Sequence, residues 1–160
     1  MISLYDVFSF AGAFFIFFSI VGIVLYILFS IGLYKIVKDR KMENEWLAYV
    51  PIAQLYILGK VIRKVKIFGS EIEYSEIILP VSLLVALILG GIPLLGLILG
   101  IGFMAFFYIC IYKLFRMYKE KDEAKTMLIV SIVSIVLMGF MLPVFMLYLG
   151  NTGPVQKELK

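Results

Sequence analysis

The chain alternates between long apolar stretches and short patches of charge. Four stretches contain no Asp, Glu, Lys or Arg: Val7–Tyr34, Trp46–Gly59, Ile77–Tyr112 and Thr126–Gln156. A charge-free apolar run of about 18 residues or more is long enough for a membrane-spanning helix. The first, third and fourth stretches pass that test. The second has 14 residues and does not.

Val7–Tyr34 predicts one helix of roughly 42 Å. That is more than a hydrocarbon core of about 30 Å, so the helix must tilt or extend into the headgroups. Ile77–Tyr112 would be about 54 Å as a single helix, too long for one crossing. It contains GGIPLLG, Gly90–Gly96, and a Gly-Gly followed closely by Pro93 interrupts a helix. Two helices are expected there, Ile77–Leu89 and Ile92–Tyr112. Thr126–Gly150 predicts a last crossing helix.

Charge orients these elements. KIVKDRK, Lys35–Lys41, has four basic residues, and the segment before Val7 has none. KLFRMYKEKDEAK, Lys113–Lys125, has five. Basic loops stay in the cytoplasm, so loops 35–45 and 113–125 are expected inside and the N-terminus outside. The tail after Gly150 is then expected outside. MISLYDVFSF has no basic n-region, so a cleavable signal is not expected.

With both loops inside, an even number of crossings lies between them. In one threading Trp46–Ile62 crosses outward and Ile92–Tyr112 crosses back. In the other, Trp46–Gly59 dips in, turns near Pro51 and returns, and Ile77–Tyr112 forms a two-helix hairpin. Length and the basic residues Lys60, Arg63, Lys64 and Lys66 favour the second.

A resemblance between the two halves favours the first. Tyr34-Lys35-Ile36 parallels Tyr112-Lys113-Leu114. Leu55–Gly59 (LYILG) parallels Leu147–Gly150 (LYLG), and in each half a proline precedes the tyrosine by five residues: Pro51 before Tyr56, Pro143 before Tyr148. The separation from the first tyrosine to the proline is 17 residues in one half and 31 in the other. Halves 7–64 and 86–151 would form a parallel repeat, with Trp46–Ile62 matching the last crossing. Trp46, Tyr49 and Tyr56 suit membrane interfaces and Lys60 can snorkel, which tips the expectation to a full crossing.

Composition agrees with a bilayer as solvent. The 160 residues are 63% hydrophobic, against about 45–50% for soluble domains. Mean hydropathy is +1.07. One integral membrane domain over 1–160 is expected. The net charge of +4 is no nucleic-acid signal, because the basic residues flank apolar runs, where topology and lipid headgroups account for them. The single cysteine, Cys110, lies within an apolar run and reads as a small buried residue.

Chemistry-bearing motifs are scarce. There is no histidine, no HExxH and no phosphate-binding glycine loop. No Asp, Glu, Lys, Arg or His falls at the expected hydrocarbon depth, where proton relays and many ion-coupled transporters rely on one. No catalytic residue, metal site or cofactor is expected. The candidates are packing or cavity residues. Trp46 reads as an interface anchor, and Asn44 could cap the helix that follows it. Pro51, read as lying inside a helix, would free a carbonyl near Leu47, beside the polar Gln54 and near Tyr56. These could line a small polar cavity or form a kink in which Gln54 bonds a neighbour. Gly96 and Gly100 form a GxxxG beyond Pro93, suited to close helix packing within or between subunits. Pro143 breaks the last helix. Ser131 and Ser134 could bond across helices or to their own carbonyls.

Tyr34-Lys35, Trp46-Leu47-Ala48, Pro51-Ile52-Ala53 and Leu55-Tyr56 together resemble a W-L-A-x-x-P-I-A pattern of small multi-pass membrane proteins of Gram-positive bacteria. IPLLG (Ile92–Gly96) and YKLFR (Tyr112–Arg116) are similar to the same proteins. The resemblance implies topology and a bacterial host, and no activity.

The expectation is therefore an all-α polytopic transmembrane helical bundle in the cell membrane. It has about four crossings, one short partial or interfacial helix and a possible parallel two-fold internal repeat. The expected role is that of a non-catalytic accessory or scaffold subunit acting by helix–helix contact. Its partners are the bilayer and a second copy or a larger membrane complex, with no nucleic acid. A small transporter or channel for a neutral or hydrophobic substrate is the rival.

Overall fold

The computed structural model describes residues 3–67, 70–134 and 139–154. It is all-α apart from one minimal hairpin. The helices are α1 (Leu4–Asp39), a 3₁₀ turn η1 (Glu45–Tyr49), α2 (Pro51–Ile62), α3 (Ser75–Leu89), α4 (Pro93–Tyr118), α5 (Lys121–Val133) and α6 (Met141–Asn151). Strands β1 (Val65–Ile67) and β2 (Ser70–Ile72) pair antiparallel, with Val65 opposite Ile72.

Two helices, Ser9–Asp39 within α1 and Pro93–Tyr118 (α4), are long and apolar enough to cross a membrane. Phe14, Phe15, Ile16 and Phe17 are consecutive, so they point to successive sides of α1, and all are more than half exposed. A helix apolar on every side and not covered by protein needs an apolar solvent.

α1 ends by geometry and not by glycine. Lys41 takes a left-handed conformation, φ 51°. Its amide bonds the Lys38 carbonyl at 2.9 Å and the Met42 amide bonds Val37 at 3.3 Å, the paired bonds of a Schellman cap. Asn44, also left-handed at φ 63°, makes no side-chain cap to η1. It turns the chain instead, a role for which asparagine is the best non-glycine residue.

The chain then reverses twice in eleven residues' travel. η1 climbs back along α1 until the Tyr49 carbonyl accepts a bond from the Tyr26 hydroxyl and the Tyr49 ring packs on Tyr34. Val50 is extended, and Pro51 opens α2 as its first residue. Proline suits that position because its missing N–H would be unpaired there anyway. α2 descends parallel to α1, from Gln54 beside Ser30 to Val61 beside Arg40. Trp46–Ile62 therefore does not run straight through the bundle, and Pro51 does not kink a helix; both sequence expectations are corrected. The physical reason is local: Val50 takes the extended conformation (φ −101°, ψ 122°) that a residue before proline favours, and this divides the run into η1 and α2.

α2 ends in a γ-turn at Arg63 (φ 61°, ψ −77°), closed by the Lys64 amide on the Ile62 carbonyl at 2.9 Å. The hairpin then returns the chain to Ser75, whose backbone lies against Gly59. α3 runs back along α2. Gly90 and Gly91 turn it into α4, as the sequence suggests, although α4 continues past Tyr112 to Tyr118.

The last apolar run is also corrected. Thr126–Gly150 is not one helix. α5 climbs from Lys121, the Gly139 amide bonds the Ser134 carbonyl with Gly139 at φ 66°, and α6 descends. α6 runs parallel to α1. The Met146 backbone meets Gly32, and Asn151 accepts a hydrogen bond from Lys35 at 2.7 Å. The end of α6 thus sits at the same end of the bundle as Arg40 and Lys119, not at the opposite one.

The buried core lies in the half of the bundle nearest that basic end. Leu33, Ile36 and Val37 of α1 meet Ile57 and Leu58 of α2, Leu114 and Phe115 of α4, and Met146 and Leu149 of α6.

Candidate functional site

Three features stand out: a buried polar knot under η1, an arginine at the basic end that joins three helices, and a groove between α5 and α6. Each depends on one of the chain reversals.

The polar knot is built around Gln54. Its side-chain amide donates to the Ser30 hydroxyl at 2.6 Å and to the Ala48 carbonyl at 2.8 Å. Ser30 donates onward to the Tyr26 carbonyl at 2.8 Å. Gln54, Ser30 and Ala48 are all buried. The amide therefore ties η1 and α2 to α1 and holds the irregular backbone between Tyr49 and Pro51. Of the two sequence readings, the bonded neighbour is observed: the Gln54 amide is spent on protein groups.

The arginine is Arg40, half-buried where α1 ends. Its Nη1 donates to the Val61 carbonyl at 2.8 Å. Its guanidinium lies 5.5 Å from the centre of the Tyr118 ring, and Nε reaches the Tyr118 hydroxyl at 3.4 Å. Because Val61 is in the last turn of α2, the cation also meets the negative end of that helix. In the sequence Arg40 reads only as one charge in a basic loop.

The groove runs between α5 and α6, with a volume of about 690 Å³. Met127, Val144 and Phe145 form its walls. Lys119 stands at its mouth, donating to the Tyr148 hydroxyl at 2.7 Å and lying 4.6 Å from that ring's centre. Glu123 lies 3.4 Å from the same ammonium. The tyrosine hydrogen bond, then Glu123, raise the Lys119 pKa above its ordinary value. A second cleft, of about 580 Å³, is lined by Arg40, Lys60, Arg63, Lys64, Glu73 and Glu76 among others and carries both signs of charge.

The residues singled out by sequence fall as follows. Pro51, Gln54 and Tyr56 share α2, and only Gln54 points into the knot. Trp46 is exposed on η1. Tyr56 carries Lys60 over its ring at 6.0 Å. Pro93 opens α4. Gly96 packs against Gly90 across the α3–α4 turn, whereas Gly100 has nothing within 4 Å among the described residues. Pro143 is buried in the first turn of α6. Ser131 and Ser134 bond back to Met127 and Ser131 carbonyls within their own segment. Cys110 is buried.

The close contacts that hold the bundle involve glycines the sequence reading passed over. A Cβ on Gly32 would lie 2.6 Å from the Met146 carbonyl oxygen, and one on Gly150 would lie 2.8 Å from the Gly32 carbonyl oxygen. Gly59 is as close to the Ser75–Glu76 backbone. The signal available was the LYILG and LYLG pair, whose glycines mark both contacts. Among the described residues no three His, Cys, Asp or Glu side chains come together as a metal site would require.

Comparison with protein-family models, with curated proteins and with solved structures gives no match to this chain. The fold and site define a helical bundle that has, among the described residues, two helices long and apolar enough to cross a membrane and a core of close backbone approaches.

Proposed function

We propose that this chain is a non-catalytic, multi-pass protein of the cell membrane, an accessory or scaffold subunit that acts through helix–helix contact. The observation that carries this reading is the core. It is closed by apolar side chains and by glycine-to-backbone approaches at Gly32, Gly59 and Gly150. Close backbone approach is how helices associate where lipid removes the hydrophobic drive. Gln54, the polar group that a substrate would meet, is already bonded to protein.

In this reading α1, α3 and α4 cross the bilayer. η1–α2 and α5–α6 enter from the cytoplasmic side and return to it. Irregular backbone at depth must be sheltered by protein; the Gln54 knot does this for Tyr49–Pro51. The topology becomes three crossings with two re-entrant arms, in place of about four crossings, and it puts the tail after Asn151 inside. α3, at about 22 Å, spans a bilayer core of about 30 Å only with the turn at Gly90–Ile92 and local thinning.

The duplication belongs to the same proposal. A shift of 78 residues, the separation of Tyr34 from Tyr112, places Leu33 on Ile111, Ile36 on Leu114 and Val37 on Phe115, all fully buried. It also places Arg40 on Tyr118, which touch each other. Where the first half has η1, the second has the longer α5, which accounts for the unequal tyrosine-to-proline spacing.

A transporter is favoured by one observation: two proline-bearing short helices, α2 and α6, in corresponding positions. Single cysteines decide between the readings. In a Cys110→Ala background, Tyr74→Cys and Thr152→Cys should react with an impermeant thiol reagent only after cells are opened, and Gly91→Cys in intact cells. Leu55→Cys and Met146→Cys should stay unreactive from both sides. Labelling of Tyr74→Cys from outside would sink the topology. Reaction of the two core cysteines would replace the scaffold by a transport path.

A further inference from the structure

The groove between α5 and α6 is more than a seam. One end is apolar, the other holds a cation and two carboxylates, and it opens sideways along Val144 and Tyr148, both exposed. Lys119 is drawn in: its side chain is only 18% exposed. It is fixed by the Tyr148 hydroxyl at 2.7 Å, and that hydroxyl accepts the bond, so its own proton is free to donate to a ligand. The mouth thus offers an ammonium and a phenol O–H as donors. Asp122 and Glu123, one turn or less away, are acceptors.

We propose that this groove binds one molecule of a zwitterionic aminophospholipid, a phosphatidylethanolamine. The phosphate lies on Lys119 and the Tyr148 hydroxyl. The primary ammonium lies on Asp122 and Glu123. An acyl chain follows Met127, Val144 and Phe145 between the helices. Charge selects this headgroup. The charged side chains lining the groove are Lys119, Asp122 and Glu123, one basic and two acidic, so a purely anionic lipid gains no net attraction there. A lipid with its own N–H cation pairs with both signs at once. A quaternary choline carries the same charge without a donor proton and is bound less well. Lys119, like any lysine, is charged across the physiological range.

The proposal rests on the membrane reading above, which puts the Lys119 end of the bundle at headgroup level. Its test separates the two. The full chain, purified in mild detergent, is exchanged into equal amounts of phosphatidylethanolamine, phosphatidylglycerol and phosphatidylcholine. Retained lipid is then read by native mass spectrometry. Phosphatidylethanolamine should be retained about fivefold over the others, the worth of roughly 1 kcal/mol from partly exposed charge pairs. The double variant Asp122→Asn, Glu123→Gln should lose that preference. Val144→Trp, which fills the groove from an exposed position, should lose the retained lipid itself. Equal retention of all three lipids, or an unchanged preference in whichever variant folds, overturns the groove assignment and leaves the topology standing. Release of the native chain from membranes by alkaline carbonate overturns both.

Discussion

The guanidinium of Arg40 lies 5.5 Å from the centre of the Tyr118 ring while its Nη1 donates to the Val61 carbonyl. One side chain therefore joins the ends of α1, α2 and α4. Removing it with Arg40→Ala loses a charge-assisted bond to a helix end and a cation–ring contact. The expected cost is about 1–3 kcal/mol. Arg40→Lys should recover little, because an ammonium cannot bond Val61 and lie flat on the ring together. Tyr118→Phe, which keeps the ring, should be nearly neutral. Thermal unfolding of the purified protein ranks the three; equal losses would mean that Arg40 is not the tie.

Gly32 and Gly100 should respond to alanine with opposite signs. A Cβ on Gly32 meets the Met146 backbone, which cannot move aside as a side chain can. Gly32→Ala should destabilise the bundle by about 1–3 kcal/mol through forced separation of α1 and α6. Gly100 is open and lies inside α4, so Gly100→Ala should gain about 0.5–1 kcal/mol of helix propensity. A melting temperature lowered by Gly100→Ala would instead show that a second copy packs there.

Gln54 gives a test of the re-entrant turn. Gln54→Leu keeps the volume and removes both bonds to Ser30 and Ala48, at an expected cost of about 1–3 kcal/mol. Ser30→Ala removes one of them and should cost less. Hydrogen exchange should rise at Ala48–Ile52 in Gln54→Leu before it rises in α4. Uniform exchange across the bundle would count against a local role for the knot.

The ion pair of Lys64 with Glu73 flanks the β-hairpin, one step beyond the Val65–Ile72 pair. The hydrogen bond to Glu73, then its charge, raise the Lys64 pKa above 10.5. A lysine raised in the fold contributes stability that is complete below its unfolded pKa and is lost as pH rises through the folded one. Both side chains are more than half exposed, so the effect on folding is small. The readout is the titration of Lys64 itself, by NMR of labelled lysine. Its midpoint should fall in Glu73→Gln, and an unmoved midpoint would remove the pair.

The pattern of charge-free runs determined the all-α class and most helix positions. Apolar length, the break at Gly90–Pro93 and the two basic loops are local or compositional facts, and solvent preference acts on them residue by residue. The reversal inside the last apolar run was not legible. Trp46–Ile62 and Thr126–Gly150 read as crossings because hydropathy counts apolar residues without regard to turns, although a turn near Pro51 was the other threading. A pre-proline residue at Val50 and a left-handed Gly139 send both segments back. The partners of Gln54, the reach of Arg40 to Tyr118 across 78 residues, and the contact of Gly32 with Met146 exist only once those reversals have brought distant segments together. Tertiary packing decided them because a hydrogen bond or a close backbone approach depends on where two chains meet. Nothing in either local sequence specifies the other.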